Sequence, residues 1–82
     1  MEIPIAMPDL GVPKATLSLW FVELGSRVEE GERLLEILAG AATFDISAPV
    51  AGRLVKRAAI SSDRVVPGQV LGYIEIDRRE NP

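Results

Sequence analysis

Two stretches of this chain repeat one another without a gap. Arg27-Val28-Glu29-Glu30-Gly31-Glu32-Arg33-Leu34-Leu35-Glu36-Ile37 aligns with Arg64-Val65-Val66-Pro67-Gly68-Gln69-Val70-Leu71-Gly72-Tyr73-Ile74, with Arg, Val, Gly, Leu and Ile at the same places. The first copy is rich in strong helix formers and, read alone, is a helix with one glycine in its middle. The second copy forbids that reading, because Pro67-Gly68 stands where the first has Glu30-Gly31. Proline presets φ for the first central position of a type II turn and glycine supplies the positive φ of the second. The same proline inside a helix is costly. If the halves share one structure, Glu30-Gly31 is also a turn and Leu34–Ile37 is a strand.

The repeat extends backwards, with Leu17 aligned on Leu54. Each half then supplies a strand, a turn, a very short strand near Val28 or Val65, a tight turn and another strand. One such half cannot bury its own apolar face, whereas two halves facing each other can. The expected core sets Leu17, Val28, Leu34 and Ile37 against Leu54, Val65, Leu71 and Ile74. Each such side chain contributes about 1.5–3 kcal/mol when buried.

The remaining runs agree with an all-β chain. Ile3–Met7, Thr16–Val22, Leu34–Leu38, Thr43–Ile46, Arg53–Ala59 and Val70–Ile76 are short apolar segments bounded by Gly, Pro, Asp or Ser. Even spacing with such punctuation predicts a sandwich or barrel. Leu38-Ala39-Gly40-Ala41-Ala42, between two candidate strands, reads as a hairpin tip. At 82 residues the chain is one domain. Its expected extent is 1–76, followed by a charged tail or linker start over 77–82.

Composition excludes several classes of function. The chain has no cysteine and no histidine, which removes disulfides, thiolate metal sites, the usual zinc ligand and the usual general base. A net charge of -3 makes nucleic acid a poor partner, since phosphate binding needs a basic patch. Arg53, Lys56 and Arg57 read as a solvated strand face. No apolar run is long enough to span a bilayer, so no membrane partner is expected. The start Met1-Glu2-Ile3-Pro4 lacks the pattern of a secretory signal, and a cytoplasmic setting is expected.

Several motifs, in order, carry a resemblance. Met7-Pro8-Asp9-Leu10-Gly11, Trp20, Gly25, Val28-Glu29-Glu30-Gly31, Leu34-Leu35-Glu36-Ile37, Ala48-Pro49-Val50-Ala51-Gly52 and Val66-Pro67-Gly68-Gln69-Val70-Leu71 together resemble a lipoyl domain. Such domains occur in the acyltransferase component of 2-oxo acid dehydrogenase complexes. The resemblance runs over roughly residues 3 to 76. It implies a flattened β-barrel or sandwich of two four-stranded antiparallel sheets with quasi-two-fold symmetry. The family usually carries an Asp-Lys-Ala turn between its fourth and fifth strands, and lipoate is joined to that lysine. Here the matching residues are Gly40-Ala41-Ala42, with Ala41 at the lysine position. The methionine-flanked lysine of biotin carriers is absent as well. No competent cofactor site is therefore expected, although the family cofactor would be lipoate.

The preferred reading is a non-catalytic interaction or structural module with a protein partner. That partner is a 2-oxo acid dehydrogenase-like assembly or a second copy. The candidate partner surface comprises Asp9, Leu10, Gly11, Val12, Gly40 and Ala41. The tip, Ala39-Gly40-Ala41-Ala42, stays open between a docking knob and a turn freed from selection. One alternative is a swinging-arm carrier domain of a 2-oxo acid dehydrogenase-type complex, either one whose native hairpin lysine has been replaced or one that uses Lys14, which in the family's geometry lies near the tip. Its simpler reading is a solvated loop lysine. A second alternative, a module of a membrane fusion adaptor, is disfavoured by the Met7–Gly11 opening and by the short passage between the halves. Trp20 reads as partly buried structure whose N–H finds a partner. Asp9, Asp45 and Asp63 read as turn and strand-end acids rather than metal ligands. No nucleophile–base pair, metal cluster or phosphate loop is found, so the chain is not expected to be an enzyme by itself.

Overall fold

The computed structural model describes residues 1–76, so the expected charged tail lies outside the described residues. Eight strands follow in chain order: β1 (Glu2–Ala6), β2 (Ala15–Trp20), β3 (Arg27–Val28), β4 (Arg33–Ala39), β5 (Ala42–Ser47), β6 (Gly52–Arg57), β7 (Arg64–Val65) and β8 (Val70–Ile76). They form two four-stranded sheets, ordered β1-β8-β6-β3 and β5-β4-β2-β7. Every pairing is antiparallel. The helix-prone segment divides into β3, the turn at Glu30-Gly31 and β4, and β4 is a central strand held by β2 on one side and β5 on the other. Two ladders of hydrogen bonds outweigh its weak local preference.

The two halves match bond for bond at a separation of 37 residues. In the first, Glu32 N–H donates to the Glu29 carbonyl at 3.0 Å and the Glu32 carboxylate accepts from Glu29 N–H at 3.0 Å. In the second, Gln69 N–H donates to the Val66 carbonyl at 3.1 Å and the Gln69 side chain accepts from Val66 N–H at 3.0 Å. Gly31 and Gly68 sit at φ 88° and 85° at the tops of these turns. The preceding turns match too: Gly25 N–H donates to the Leu54 carbonyl at 2.7 Å, and Ser62 N–H to the Leu17 carbonyl at 2.8 Å.

The inner faces of both sheets close on one core. Leu17, Val28, Leu34, Ile37, Leu54, Leu71 and Ile74 are fully buried and Val65 nearly so, as the repeat predicts. Ile5, Met7, Ala15, Leu35, Ala39, Ile46, Ala48 and Ala59 complete it. No polar or charged residue among those described is buried, so the core carries no desolvation cost for unpaired polar side chains. Two glycines permit close strand contact. A Cβ on Gly52 would lie 2.1 Å from the Glu75 carbonyl oxygen, and one on Gly72 would lie 2.5 Å from that of Lys56 and 3.1 Å from the Trp20 ring.

Candidate functional site

The β4–β5 hairpin closes more tightly than the five-residue tip read from the sequence. Ala39 pairs with Ala42, so the connection is Gly40-Ala41 alone. Gly40 is at φ 63°, and Ala41 keeps a negative φ. Positive then negative φ in a two-residue loop, with glycine first, is the pattern of a type II′ turn, whose twist suits antiparallel strands. Nothing lies within 4 Å of a Cβ built on Gly40, so glycine is favoured there by backbone conformation and not by space.

The tip residues divide into two groups. Gly40, Ala41 and Ala42 are exposed, but Ala39 is 4% exposed and belongs to the core. Inclusion of Ala39 in an exposed tip is thus corrected: the period of two along β4 turns it inward with Ile37. The same alternation turns Leu38 outward, between Thr16 and Thr43, where it is 44% exposed. The apex itself offers a methyl group, two backbone amides and their carbonyls, and no ionisable or nucleophilic side chain.

The loop between β1 and β2 is shaped by its own acid. The Asp9 carboxylate accepts a hydrogen bond from Gly11 N–H at 2.9 Å, and Gly11 is at φ 72°. This Asx turn fixes the loop. Leu10 and Val12 are half-buried and pack against the core, while Asp9 and Gly11 are exposed. Of the candidate partner surface, then, Asp9, Gly11, Gly40 and Ala41 face solvent, and Leu10 and Val12 mainly anchor the loop. Lys14 is exposed one residue before β2. The β2–β4 ladder ends at Thr16 opposite Leu38, two residues short of Lys14 on one strand and of Gly40 on the other. The loop therefore enters its sheet at the hairpin end.

The other singled-out residues have structural partners. Trp20 Nε1 donates to the Ala59 carbonyl at 2.9 Å, which joins β2 to the segment after β6. Asp63 accepts from Ile60 N–H at 2.9 Å, and Asp45 pairs with Arg33 at 3.3 Å across β4 and β5. Arg53, Lys56 and Arg57 are exposed; Lys56 Nζ lies 5.8 Å from the Tyr73 ring centre and the Arg57 guanidinium 6.0 Å from that of Trp20.

Known proteins share this arrangement. The solution structure of the lipoyl domain of the 2-oxoglutarate dehydrogenase complex from Azotobacter vinelandii is similar, with a TM-score of 0.68, 19% identity, and coverage of 92% of this chain and 95% of that one. In sequence, the chain is 36% identical to the dihydrolipoyllysine-residue succinyltransferase component of the 2-oxoglutarate dehydrogenase complex of Rickettsia typhi, over 90% of this chain and 19% of that protein. It is 39% identical to the lipoamide acyltransferase component of the branched-chain alpha-keto acid dehydrogenase complex of Pseudomonas aeruginosa, over 82% of this chain and 15% of that protein. The chain thus spans less than a fifth of the length of these relatives. Residues 3–74, nearly the whole eight-stranded unit, match the biotin/lipoyl family, described as biotin-requiring enzyme, and the chain belongs to that family.

Proposed function

We propose that this chain is a lipoyl-type domain that carries neither lipoate nor biotin on its β4–β5 hairpin. It serves in the cytoplasm as a non-catalytic interaction or structural module of a 2-oxo acid dehydrogenase-type assembly. The observation that carries this reading is the apex Gly40-Ala41. Lipoate and biotin are held through an amide to a lysine ε-amine, and the Ala41 methyl has no nitrogen to acylate. The residues present at the apex do not fit the family's group. Lys14 lies at the same end, but it follows Pro13 in a loop rather than crowning a two-residue turn. The absence of histidine and cysteine, and the structural engagement of Asp9, Asp45 and Asp63, support a module that does no chemistry of its own.

Intact mass spectrometry after co-expression with a lipoyl ligase, and separately with a biotinyl ligase, tests the proposal. The unmodified mass is expected in both cases. A gain of one lipoyl or biotinyl group, located by fragmentation at Lys14, overturns the non-carrier reading in favour of a carrier. Ala41→Lys is the matched control. It leaves Gly40 in place, whereas adding Gly40→Asp sets a side chain at φ 63°, a strained position for an L-residue. The single variant is expected to accept lipoate at least in part. A folded Ala41→Lys protein that stays unmodified would show that more than the lysine separates this apex from a carrier's.

A further inference from the structure

The registers of the first sheet align four charges in one row. Arg27 on β3 is opposite Arg53 on β6, Arg53 is opposite Glu75 on β8, and Glu75 is opposite Glu2 on β1. Their inward neighbours Val28, Leu54 and Ile74 are buried, so the row lies on the outer face. Arg27, Arg53 and Glu2 are exposed and Glu75 is half-exposed. Read across the sheet the signs run plus, plus, minus, minus, with steps of about 4.8 Å. Local contacts hold these side chains: Arg27 meets Glu29 at 3.3 Å, Arg53 Nη1 donates to the Gly25 carbonyl at 2.7 Å, and Glu75 meets the Met1 ammonium at 2.6 Å. Beside the row, Val55 is exposed, and Arg27, Gly52, Arg53, Val55, Glu75 and Ile76 line a cavity of about 130 Å³.

A uniformly acidic or basic partner meets repulsion from half of this row. A row whose signs reverse about its centre is its own complement under one two-fold axis. Take the axis parallel to the strands, between β6 and β8, and stack two copies face to face. Arg27 then faces Glu2 of the other copy, and Arg53 faces its Glu75, so all four charges on each side meet an opposite one. An axis along the row sets Arg27 on Arg27 and is repelled. Aligned sheets pack at about 10 Å with strands within about 30° of each other, which long arginine and glutamate side chains span. We propose that the outer face of this sheet is a self-complementary surface that joins two copies of the chain in a weak, salt-sensitive dimer. The surface is separate from the hairpin apex, and the outcome of the lipoylation test leaves it unaffected.

Sedimentation velocity and backbone amide spectra test it on the whole chain, from about 20 μM to about 1 mM, because exposed ion pairs are individually weak. Concentration-dependent dimerisation is expected, with shifts confined to β1, β3, β6 and β8. Raising NaCl from about 0.05 M to about 0.5 M should weaken it at least about tenfold. Arg53→Glu alone and Glu75→Arg alone should each weaken self-association at least about tenfold, because each sets like charges face to face. An equimolar mixture of the two restores full complementarity and should form a heterodimer as tightly as the unaltered chain forms its dimer. If either variant loses amide dispersion, Arg27→Glu mixed with Glu2→Arg makes the same exchange at the outer pair. A monomer throughout the range, association indifferent to salt, single variants that associate as before, or a mixture that stays monomeric would each overturn the proposal.

Discussion

Ser62 is the one described residue other than glycine with a positive φ, at 79°. Its position explains why. The residue 37 places earlier is Gly25, at φ 92°, and both donate their backbone N–H to the matching leucine of the other half. The turn requires the left-handed region, and the second half meets that requirement with a serine. An L-residue there costs roughly 1–2 kcal/mol, against which glycine loses up to about 1 kcal/mol in chain entropy. Ser62→Gly should therefore stabilise the protein by a few tenths to about 1 kcal/mol. Gly25→Ser should destabilise it by a like amount. Urea midpoints of the two variants check both signs, and a destabilised Ser62→Gly protein would mean that the hydroxyl contributes more than the strain costs.

At the scale of elements, the turns before β4 and β8 carry the same hydrogen bonds from different residues. Glu32 and Gln69 each use a side-chain oxygen to hold the N–H three residues earlier. Only the second turn has proline at its first central position, Pro67 to the first turn's Glu30. Because Gly31 and Gly68 differ by 3° in φ, the first turn should accept a proline without strain. Glu30→Pro is expected to stabilise by about 0.4–1 kcal/mol through the unfolded chain, with the native amide spectrum retained outside the turn. A loss of stability would show that the two turns are equivalent in hydrogen bonding but not in φ at this residue. The strand β4 shows the same logic in reverse. Its leucines, Glu36 and Ala39 favour helix locally, and it is a strand because pairing on both edges and burial of Leu34, Leu35, Ile37 and Ala39 decide its state.

For the molecule as a whole, the core belongs to neither half alone. Leu17 and Leu54 are both fully buried, and each carbonyl accepts from the turn of the other half. Leu17→Ala and Leu54→Ala should each cost about 2–5 kcal/mol, and by similar amounts because the sites are related. Unfolding should also be a single transition, since separating the halves exposes both apolar faces at once. Trp20 fluorescence, reporting the contact to Ala59, and far-ultraviolet circular dichroism, reporting all strands, should give coincident denaturation curves. Separate transitions would show that one half holds together without the other.

Much of this is written in the chain as local pattern. The repeat with its Pro67-Gly68 turn predicts two related halves, the inward residues and a strand where propensity alone predicts helix. The lack of an amine at the hairpin apex is likewise plain at Ala41. These are legible because turn chemistry and alternation act over a few neighbouring residues. Tertiary structure decided the rest. Ala39 leaves the tip for the core because its pairing with Ala42 narrows the turn to two residues. Gly40 takes a positive φ because antiparallel strands twist and the loop must follow them. The row Arg27, Arg53, Glu75 and Glu2 exists only through strand register, which sets side by side residues drawn from both ends and the middle of the chain. No local period records such a row, because register is fixed by the packing of the whole core.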